Sequence, residues 1–207
     1  LQEISIEAAV AQHLADLSHG GAHDVVFENA QARERTQILF NHANQVDGIV
    51  VGTGDLSELA LGWATFNADQ IANYNVNASV PKTLIAYLVR WYAQHRAQED
   101  LAVVLQAVLD TPISPELIPP KNDEISQRTE DLMGPYELHD FFLFHWLRFG
   151  ASPTKIFALA CLSFQDQYSG EVIQHWLAQF FRRFMTQQFK RTTLPPGPKV
   201  GSVTLSP

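Results

Sequence analysis

The segment from Gly52 to Glu58 holds the residues best suited to chemistry. Gly52 and Gly54 let backbone approach a ligand, and Thr53 offers a hydroxyl between them. The carboxylates of Asp55 and Glu58 lie one helical turn apart if a helix begins here. Such hard oxygen ligands suit Mg²⁺, which takes one or two protein carboxylates and fills its other positions with water and phosphate oxygens. The same spacing is that of a capping box, and spacing alone favours this structural interpretation.

A short β-branched run stands directly before this segment. Ile49, Val50 and Val51 predict a buried parallel strand that ends in a loop and leads into a helix. Ligands of open α/β sheets bind at such strand ends. The alternating residues Gln2–Ile6 predict a second strand more weakly. Two strands are too few for an independent doubly wound sheet, so we expect further strands upstream.

Apolar residues at helical spacing predict several helices. They are Glu7–His19, Glu28–Gln45, Lys82–Gln94, Glu99–Leu109, Tyr136–Phe149, Pro153–Phe164 and Gly170–Phe189. The aromatic stripes of Tyr136–Phe149 and Gly170–Phe189, which include Phe142 and Phe180, are interpreted as packing surface. Arg182-Arg183 is interpreted as a solvated edge. Residues 110–133, rich in proline and polar residues, predict a long surface loop and a candidate mobile lid. Residues 190–207 are expected to form a C-terminal tail.

Composition excludes several classes of partner. Fourteen Lys and Arg against 22 Asp and Glu give a formal charge of −8, so no broad positive field draws in nucleic acid or an anionic membrane. No apolar run reaches the roughly 18 residues that a membrane span needs. The single Cys161 allows neither a disulfide nor a thiolate metal site within one chain, and the histidines lack zinc-site spacing. We expect a globular cytoplasmic protein.

The order and spacing of several blocks resemble the NAD⁺ synthetase family. The blocks are Glu28–Arg35, Gly52–Trp63, Tyr74–Thr83, Asp110–Leu117, Gly134–Leu143 and Gln188–Gly201. They cover nearly the whole chain, and the likeness is to the long glutamine-dependent form rather than to the short ammonia-dependent one. The resemblance implies an α/β fold in which residues 1–207 are the C-terminal, mostly helical remnant of a doubly wound parallel-sheet domain of the adenine nucleotide alpha-hydrolase-like (ATP pyrophosphatase) type.

The resemblance also implies a two-step reaction. The nicotinate carboxylate of deamido-NAD⁺ attacks the α-phosphate of ATP and releases pyrophosphate, and ammonia then displaces AMP from the adenylate. A separate glutaminase domain supplies the ammonia from glutamine, and Mg²⁺ accompanies the ATP. Such chemistry depends on positioning and charge neutralisation more than on covalent catalysis. Family synthetase domains pair, so a homo-oligomer is expected.

Residue by residue, the resemblance gives four positions a role towards ATP. Thr53 matches an ATP-contacting threonine, Glu58 a catalytic Mg²⁺-binding acid, Lys82 a catalytic lysine on the phosphates, and Ser114 a hydroxyl that touches phosphate. Lys82 is otherwise a solvated lysine in the first turn of a helix, where a cation is mildly unfavourable. Ser114 is otherwise an ordinary loop serine between two prolines.

Six positions are implied for deamido-NAD⁺. They are Arg33, Arg35, Leu59, Trp63, Asp69 and Lys190. Arginines two apart do not share a helix face, so one of the two is expected to be structural, paired with Glu28 or Glu34, while the other reaches the ligand. Trp63 is otherwise a core aromatic. Lys190 is otherwise a cation that complements the end of a helix.

The 207 residues depart from the family pattern in one respect. The Ser-Gly-Gly-x-Asp-Ser loop that binds pyrophosphate is absent from them, and so is the glutaminase domain. We therefore expect the isolated chain to be inactive and the ligase activity to belong to a parent protein. One alternative is a non-catalytic oligomerisation module that acts through the aromatic helices. Another is an adenylating enzyme with a different substrate, against which Trp63 and Tyr74–Asn77 argue.

Overall fold

The computed structural model describes residues 1–113 and 132–205. Its α-helices are α1 (Glu7–Asp16), α2 (Val25–Gln45), α3 (Leu56–Leu61), α4 (Lys82–His95), α5 (Glu99–Asp110), α6 (Tyr136–Phe149), α7 (Pro153–Ser163) and α8 (Gly170–Thr186), and a 3₁₀ helix spans Gln188–Thr193. The helix predictions are confirmed. Helix α2 begins three residues early because the Asp24 side chain accepts hydrogen bonds from Val26 N and Phe27 N. Ser114 and most of the loop 110–133 lie outside the described residues.

Two short strands form a parallel pair. In the pairing of β1 (Val51–Gly52) with β2 (Tyr74–Asn75), Val51 stands opposite Tyr74. The predicted direction of β1 is confirmed, but its predicted burial is wrong, because Ile49 is 64% exposed and Val51 53%. Among the described residues β1 pairs only with β2, so its apolar faces stay uncovered. The predicted strand Gln2–Ile6 is also wrong, since no described strand supplies its backbone with partners.

The core lies among helices α6, α7 and α8. Phe142, Ile156, Ile173 and Phe180 are each 0% exposed, and α3 packs against the same cluster. Full burial of side chains of this size contributes about 1.5–3 kcal/mol each to stability. The prediction of an aromatic packing surface is therefore confirmed for Phe142 and Phe180, and this core gives α3 a rigid support.

Helices α4 and α5 pack on each other as a helical hairpin, and neither contains a buried residue. The exposed large apolar residues of this hairpin, called here the hairpin face, are Leu84, Tyr87, Leu88, Trp91, Tyr92, Leu101, Val103, Val104 and Val108. No helix in the part of the chain that the structure describes is both long and apolar enough to cross a membrane.

The segment 194–205, called here the tail, runs beside β2. Pro196 O accepts a hydrogen bond from Asn75 N at 2.9 Å, and Pro198 O accepts one from Ser79 Oγ at 2.6 Å. Val200 N donates back to the same Ser79 hydroxyl at 2.8 Å. Gly197 approaches so closely that a Cβ there would overlap the carbonyl of Asn75. The tail therefore fixes the backbone that leads into α4.

Candidate active site

Helix α3 begins at a complete capping box. Asp55 Oδ1 accepts a hydrogen bond from Glu58 N at 3.0 Å, and Glu58 Oε2 accepts one from Asp55 N at 3.3 Å. The structural interpretation of this spacing is therefore confirmed. Asp55 is 2% exposed and does not line the adjacent cavity, whereas Glu58 does.

Lys82 joins the start of α4 to the start of α3. Its Nζ lies 2.7 Å from Asp55 Oδ2 and 2.8 Å from Glu58 Oε1. Two carboxylates thus share one ammonium. Loss of water and the negative charge of Asp55 raise the pKa of Glu58 to about 7, against the opposing effect of Lys82. Burial alone would lower the pKa of Lys82, but the two carboxylates outweigh it and the pKa is raised.

Asp140 of α6 holds the two helix starts in register. Its carboxylate accepts hydrogen bonds from the Ser57 hydroxyl and from both N and Oγ1 of Thr83, the latter two at 3.0 and 2.6 Å. The same Ser57 hydroxyl accepts a hydrogen bond from Lys82 N at 2.9 Å. The core helix α6 therefore positions Lys82 and, through it, Glu58.

Three basic side chains donate to backbone carbonyls at the other end of α3. The bonds are Arg191 Nη1 to Ala60 O at 3.2 Å, Arg183 Nε to Leu61 O at 3.1 Å, and Lys190 Nζ to Gly62 O at 2.9 Å and to Ala64 O at 2.7 Å. Helices end with carbonyls that lack intrahelical partners, and cations are favourable there. Charged side chains therefore fix this short helix at both ends.

A cavity of about 360 Å³ opens beside α3, at the end of β1. It is lined by Val25, Glu28, Asn29, Arg35, Thr53, Gly54, Glu58, Gly62, Trp63, Ala64, Thr65, Asp69, Ile113, Arg183 and Lys190. Among the residues expected from the sequence it brings together Arg35, Thr53, Glu58, Trp63, Asp69 and Lys190. Positions expected to serve ATP and positions expected to serve deamido-NAD⁺ thus share one cavity.

Other expected residues lie elsewhere. Arg33 is exposed, and its Nε donates to Phe66 O at 3.4 Å rather than pairing with Glu28 or Glu34. Leu59 is 3% exposed, in a small apolar cluster away from the cavity lining. Lys82 lies behind Glu58 and lines a second pocket, where its Nζ is 5.3 Å from the ring centroid of Tyr136.

Arg183 is a cavity residue that sequence reasoning missed. It was expected at a solvated edge, which is wrong, because it is partly buried, lines the cavity and lies with its guanidinium carbon 5.4 Å from the ring centroid of Trp63. Its position three residues after Phe180 and one before Phe184 places it beside the buried stripe of α8. That spacing was the signal that could have found it.

Asn29 is a second cavity residue without a predicted role. Its side-chain oxygen accepts a hydrogen bond from the Thr65 hydroxyl at 2.8 Å, which ties α2 to the loop after α3. It lies within the block Glu28–Arg35 that carries the family resemblance. Nothing in its sequence neighbourhood distinguishes it from an ordinary helix-surface asparagine.

The charges around the cavity are mixed. Loss of water raises the pKa of Asp69, while a hydrogen bond from Thr65 N and the nearby cations Arg35 and Lys190 oppose that rise. Loss of water lowers the pKa of Lys190, and the like charge of Arg183 lowers it further. A zwitterionic ligand fits such a lining better than a purely anionic one.

The donor set limits how a metal ion would be held. Among the described residues no group of three or more His, Cys, Asp or Glu side chains is arranged to bind a metal. Glu58 faces the cavity with a single carboxylate. One carboxylate fits a Mg²⁺ ion that takes its remaining ligands from water and from nucleotide phosphates, but not an ion that needs an all-protein cage.

Comparison with known proteins decides the family. The profile of the NAD synthase family matches residues 1–185. This chain belongs to the NAD synthase family. A glutamine-dependent NAD⁺ synthetase from Mycobacterium leprae is 48% identical over 198 aligned positions, covering 86% of this chain and 29% of the relative. A glutamine-dependent NAD⁺ synthetase from Xanthomonas campestris is 30% identical, and the alignment covers 97% of this chain and 33% of that relative. The chain thus spans about 29–33% of these curated relatives.

Two solved structures share the fold of this chain. A glutamine-dependent NAD⁺ synthetase from Cytophaga hutchinsonii superposes with a TM-score of 0.71 at 20% identity, over 98% of this chain and 30% of its own. An NMN synthetase from Francisella tularensis gives 0.55 at 23% identity, over 87% and 62%. The expected fold class, a mostly helical part of an adenine nucleotide alpha-hydrolase-like domain, is confirmed.

Proposed function

We propose that this chain forms part of a ligase that amidates deamido-NAD⁺ to NAD⁺ at the expense of ATP, with ammonia supplied from glutamine. The observation that carries the proposal is the single cavity at the end of β1, which collects Thr53 and Glu58 with Arg35, Trp63 and Lys190. The first two are the expected ATP positions, and the last three are expected deamido-NAD⁺ positions. Family membership supports the same reaction.

The reaction needs two anionic groups to approach each other. The nicotinate carboxylate attacks the α-phosphorus of ATP, the bond to pyrophosphate breaks, and ammonia then attacks the carbonyl carbon of the adenylate and expels AMP. Positioning and charge neutralisation are the main tasks of the protein. Thr53 and Gly54, at the strand end, would contact ATP, and Trp63 would pack against the pyridine ring.

Glu58 and Lys82 would act as one unit on the phosphate side. Glu58 would be the protein ligand of Mg²⁺, an ion that neutralises triphosphate charge when bound. Lys82 keeps the Glu58 carboxylate aimed and compensates part of its charge through the 2.8 Å ion pair. Asp69, Arg35 and Lys190 would hold the polar parts of deamido-NAD⁺. Ser114, which lies outside the described residues, would add a phosphate contact.

Binding experiments test the proposal. We expect the purified chain to bind ATP–Mg²⁺ and deamido-NAD⁺ weakly in isothermal titration calorimetry and to show no turnover alone. Glu58→Gln should weaken ATP–Mg²⁺ binding by about tenfold or more, because a charged ligand worth about 1.5–3 kcal/mol is lost. Glu171→Gln, an exposed change on α8 away from the cavity, is the control. Absence of heat with both ligands would contradict the proposal.

A second candidate function is a homo-oligomerisation module, favoured by the hairpin face. The aromatic helices first considered for that role bury Phe142 and Phe180 in the core, so these rings are not available for contact. The large apolar residues of the hairpin face are all exposed among the described residues. A concentration-dependent dimer that ignores both ligands would favour this function over the ligase. A cytoplasmic homo-oligomer that also binds ATP–Mg²⁺ and deamido-NAD⁺ would have both the ligase and the oligomerisation function.

A further inference from the structure

Arg183 differs from the other cations of the cavity in its partners. Arg35 and Lys190 both lie close enough to Asp69 to favour its charged form. Arg183 has no carboxylate within ion-pair distance among the described residues. Burial nevertheless removes much of its water and lowers its pKa. An uncompensated charge in such a place is costly, and an anion in the cavity would offset that cost.

The Arg183 side chain is already fixed in place. Its Nε donates to Leu61 O at 3.1 Å, and its guanidinium lies over Trp63 with 5.4 Å from carbon to ring centroid. Among the described residues its two terminal nitrogens make no hydrogen bond. A held guanidinium with free terminal N–H groups is prepared for the paired oxygens of a carboxylate.

The neighbouring Arg191 shows what a purely structural arginine looks like here. Its Nη1 donates to Ala60 O and its Nη2 to Phe184 O, at 3.2 and 2.6 Å, and it does not line the cavity. Both terminal nitrogens are therefore used within the protein. The contrast indicates that capping α3 does not by itself require the exposed guanidinium edge of Arg183.

We propose that Arg183 binds the carboxylate of a pyridine ring packed against Trp63 and so makes the cavity prefer deamido-NAD⁺ to its amide product. The inference rests on the proposed function and adds a specificity-determining residue to it. The two dinucleotides carry the same cationic ring and differ only in carboxylate against carboxamide. The neutral amide has one acceptor oxygen in place of two and no negative charge, so it leaves the charge of the buried guanidinium uncompensated.

This arrangement links chemistry to release. Amidation replaces the charged group that Arg183 holds by a neutral one, so the reaction itself weakens the grip on the product. Binding energy used on the substrate is then not retained in the product complex. Arg183 in this role touches substrate but takes no part in bond breaking.

The test measures dissociation constants of deamido-NAD⁺ and NAD⁺ for the full-length protein that carries this chain. The wild type should prefer deamido-NAD⁺ by about tenfold or more. Arg183→Met, which keeps the length of the side chain and removes its charge, should weaken deamido-NAD⁺ by about tenfold and NAD⁺ by less than about twofold. Arg183→Lys, which keeps the positive charge but loses the pair of terminal N–H donors, should retain only part of the preference. Arg182→Met is the matched control, because Arg182 is exposed on the same helix.

Each other outcome is informative. An equal loss of both ligands in Arg183→Met would show that Arg183 only supports α3, and no loss would show that it does not meet the ring. Either result, or a wild type without preference, overturns the inference while leaving the proposed function intact. A wild type that binds neither dinucleotide overturns the proposed function itself, and the inference with it.

Discussion

Helix α3 and the α4–α5 hairpin differ in how they are stabilised. Helix α3 has 6 residues, of which Leu56, Ser57, Leu59, Ala60 and Leu61 are buried, and charged groups fix both of its ends. Helices α4 and α5 have 14 and 12 residues and no buried one; they pack mainly on each other, and the start of α4 is tied to α3 and α6. Isolated helices as short as α3 are unstable in water. Helix α3, which lines the cavity, therefore depends on tertiary contacts for its stability. The helices of the hairpin follow more from the apolar spacing of their own sequences.

The largest expected effect comes from the charged start of α3. Asp55→Ala removes a buried cap and leaves Lys82 with one carboxylate, so we expect a loss of about 3–5 kcal/mol in the free energy of unfolding by urea. Asp24→Ala, the matched change at the exposed cap of α2, should cost about 1 kcal/mol. Equal losses in the two variants would remove the distinction drawn between the buried and the exposed helix start.

The other end of α3 offers a paired glycine test. Gly62 and Gly150 both end a helix, at φ 60° and 59°. An added Cβ at Gly62 would overlap the Gln187 side chain, whereas at Gly150 it meets nothing within 4 Å. Gly62→Ala should therefore cost about 3 kcal/mol, and Gly150→Ala, which bears only the left-handed backbone penalty, about 1 kcal/mol. Thermal unfolding measures both losses of stability. A difference near zero would mean that the Gln187 side chain moves aside at little cost.

Glu58 makes the stability of this region depend on pH. Its pKa is raised from an ordinary 4.5 to about 7, so the folded state holds a proton that the unfolded state has released between these values. The stabilisation is present below pH 4.5 and is lost as pH rises through 7. The stability of Glu58→Gln relative to wild type should thus improve by about 1–2 kcal/mol from pH 4.5 to pH 8. Urea titrations across that range that run parallel for the two proteins would refute this expectation.

The smallest effect on stability is expected on the hairpin face. Val104→Glu replaces a residue that is 57% exposed, so the free energy of unfolding should change by less than about 0.5 kcal/mol. If the face pairs two copies, sedimentation should show a smaller species for this variant at concentrations where the wild type associates. Leu162→Glu, at a 71% exposed position of α7, is the control and should leave the mass unchanged. The same mass for all three proteins would remove the face as a self-association surface.

Sequence reasoning located the helices because their apolar period is local information. It could not decide how Glu58 is used, because both oxygens of its carboxylate make contacts and only one of these contacts is local. One oxygen of Glu58 closes the capping box through Asp55 N, and the other pairs with Lys82 from an element 24 residues further on. Spacing along the chain predicts the capping box but gives no information about the ion pair with Lys82.

Arg183 was misassigned for a related reason. A charged residue beside an aromatic stripe is usually solvated, and the sequence around it contains no acid to suggest a partner. The structure pairs it with a carbonyl of α3, at a distance of 122 residues along the chain. The need for such donors follows from any short helix that ends inside the protein, but which side chain meets the need depends on tertiary packing. Likewise, the burial expected for Val51 depended on partners that the described residues do not supply.

The tail has a consequence for how the protein tolerates damage. Its carbonyls at Pro196 and Pro198 and its amide at Val200 hold Asn75 and Ser79, the residues that deliver the chain to Lys82. A single proteolytic nick in this stretch would break no contact with the cavity itself. It would nevertheless release the backbone that positions the Lys82 ammonium group. Weaker binding of the proposed ligands would then result from a cleavage outside the cavity.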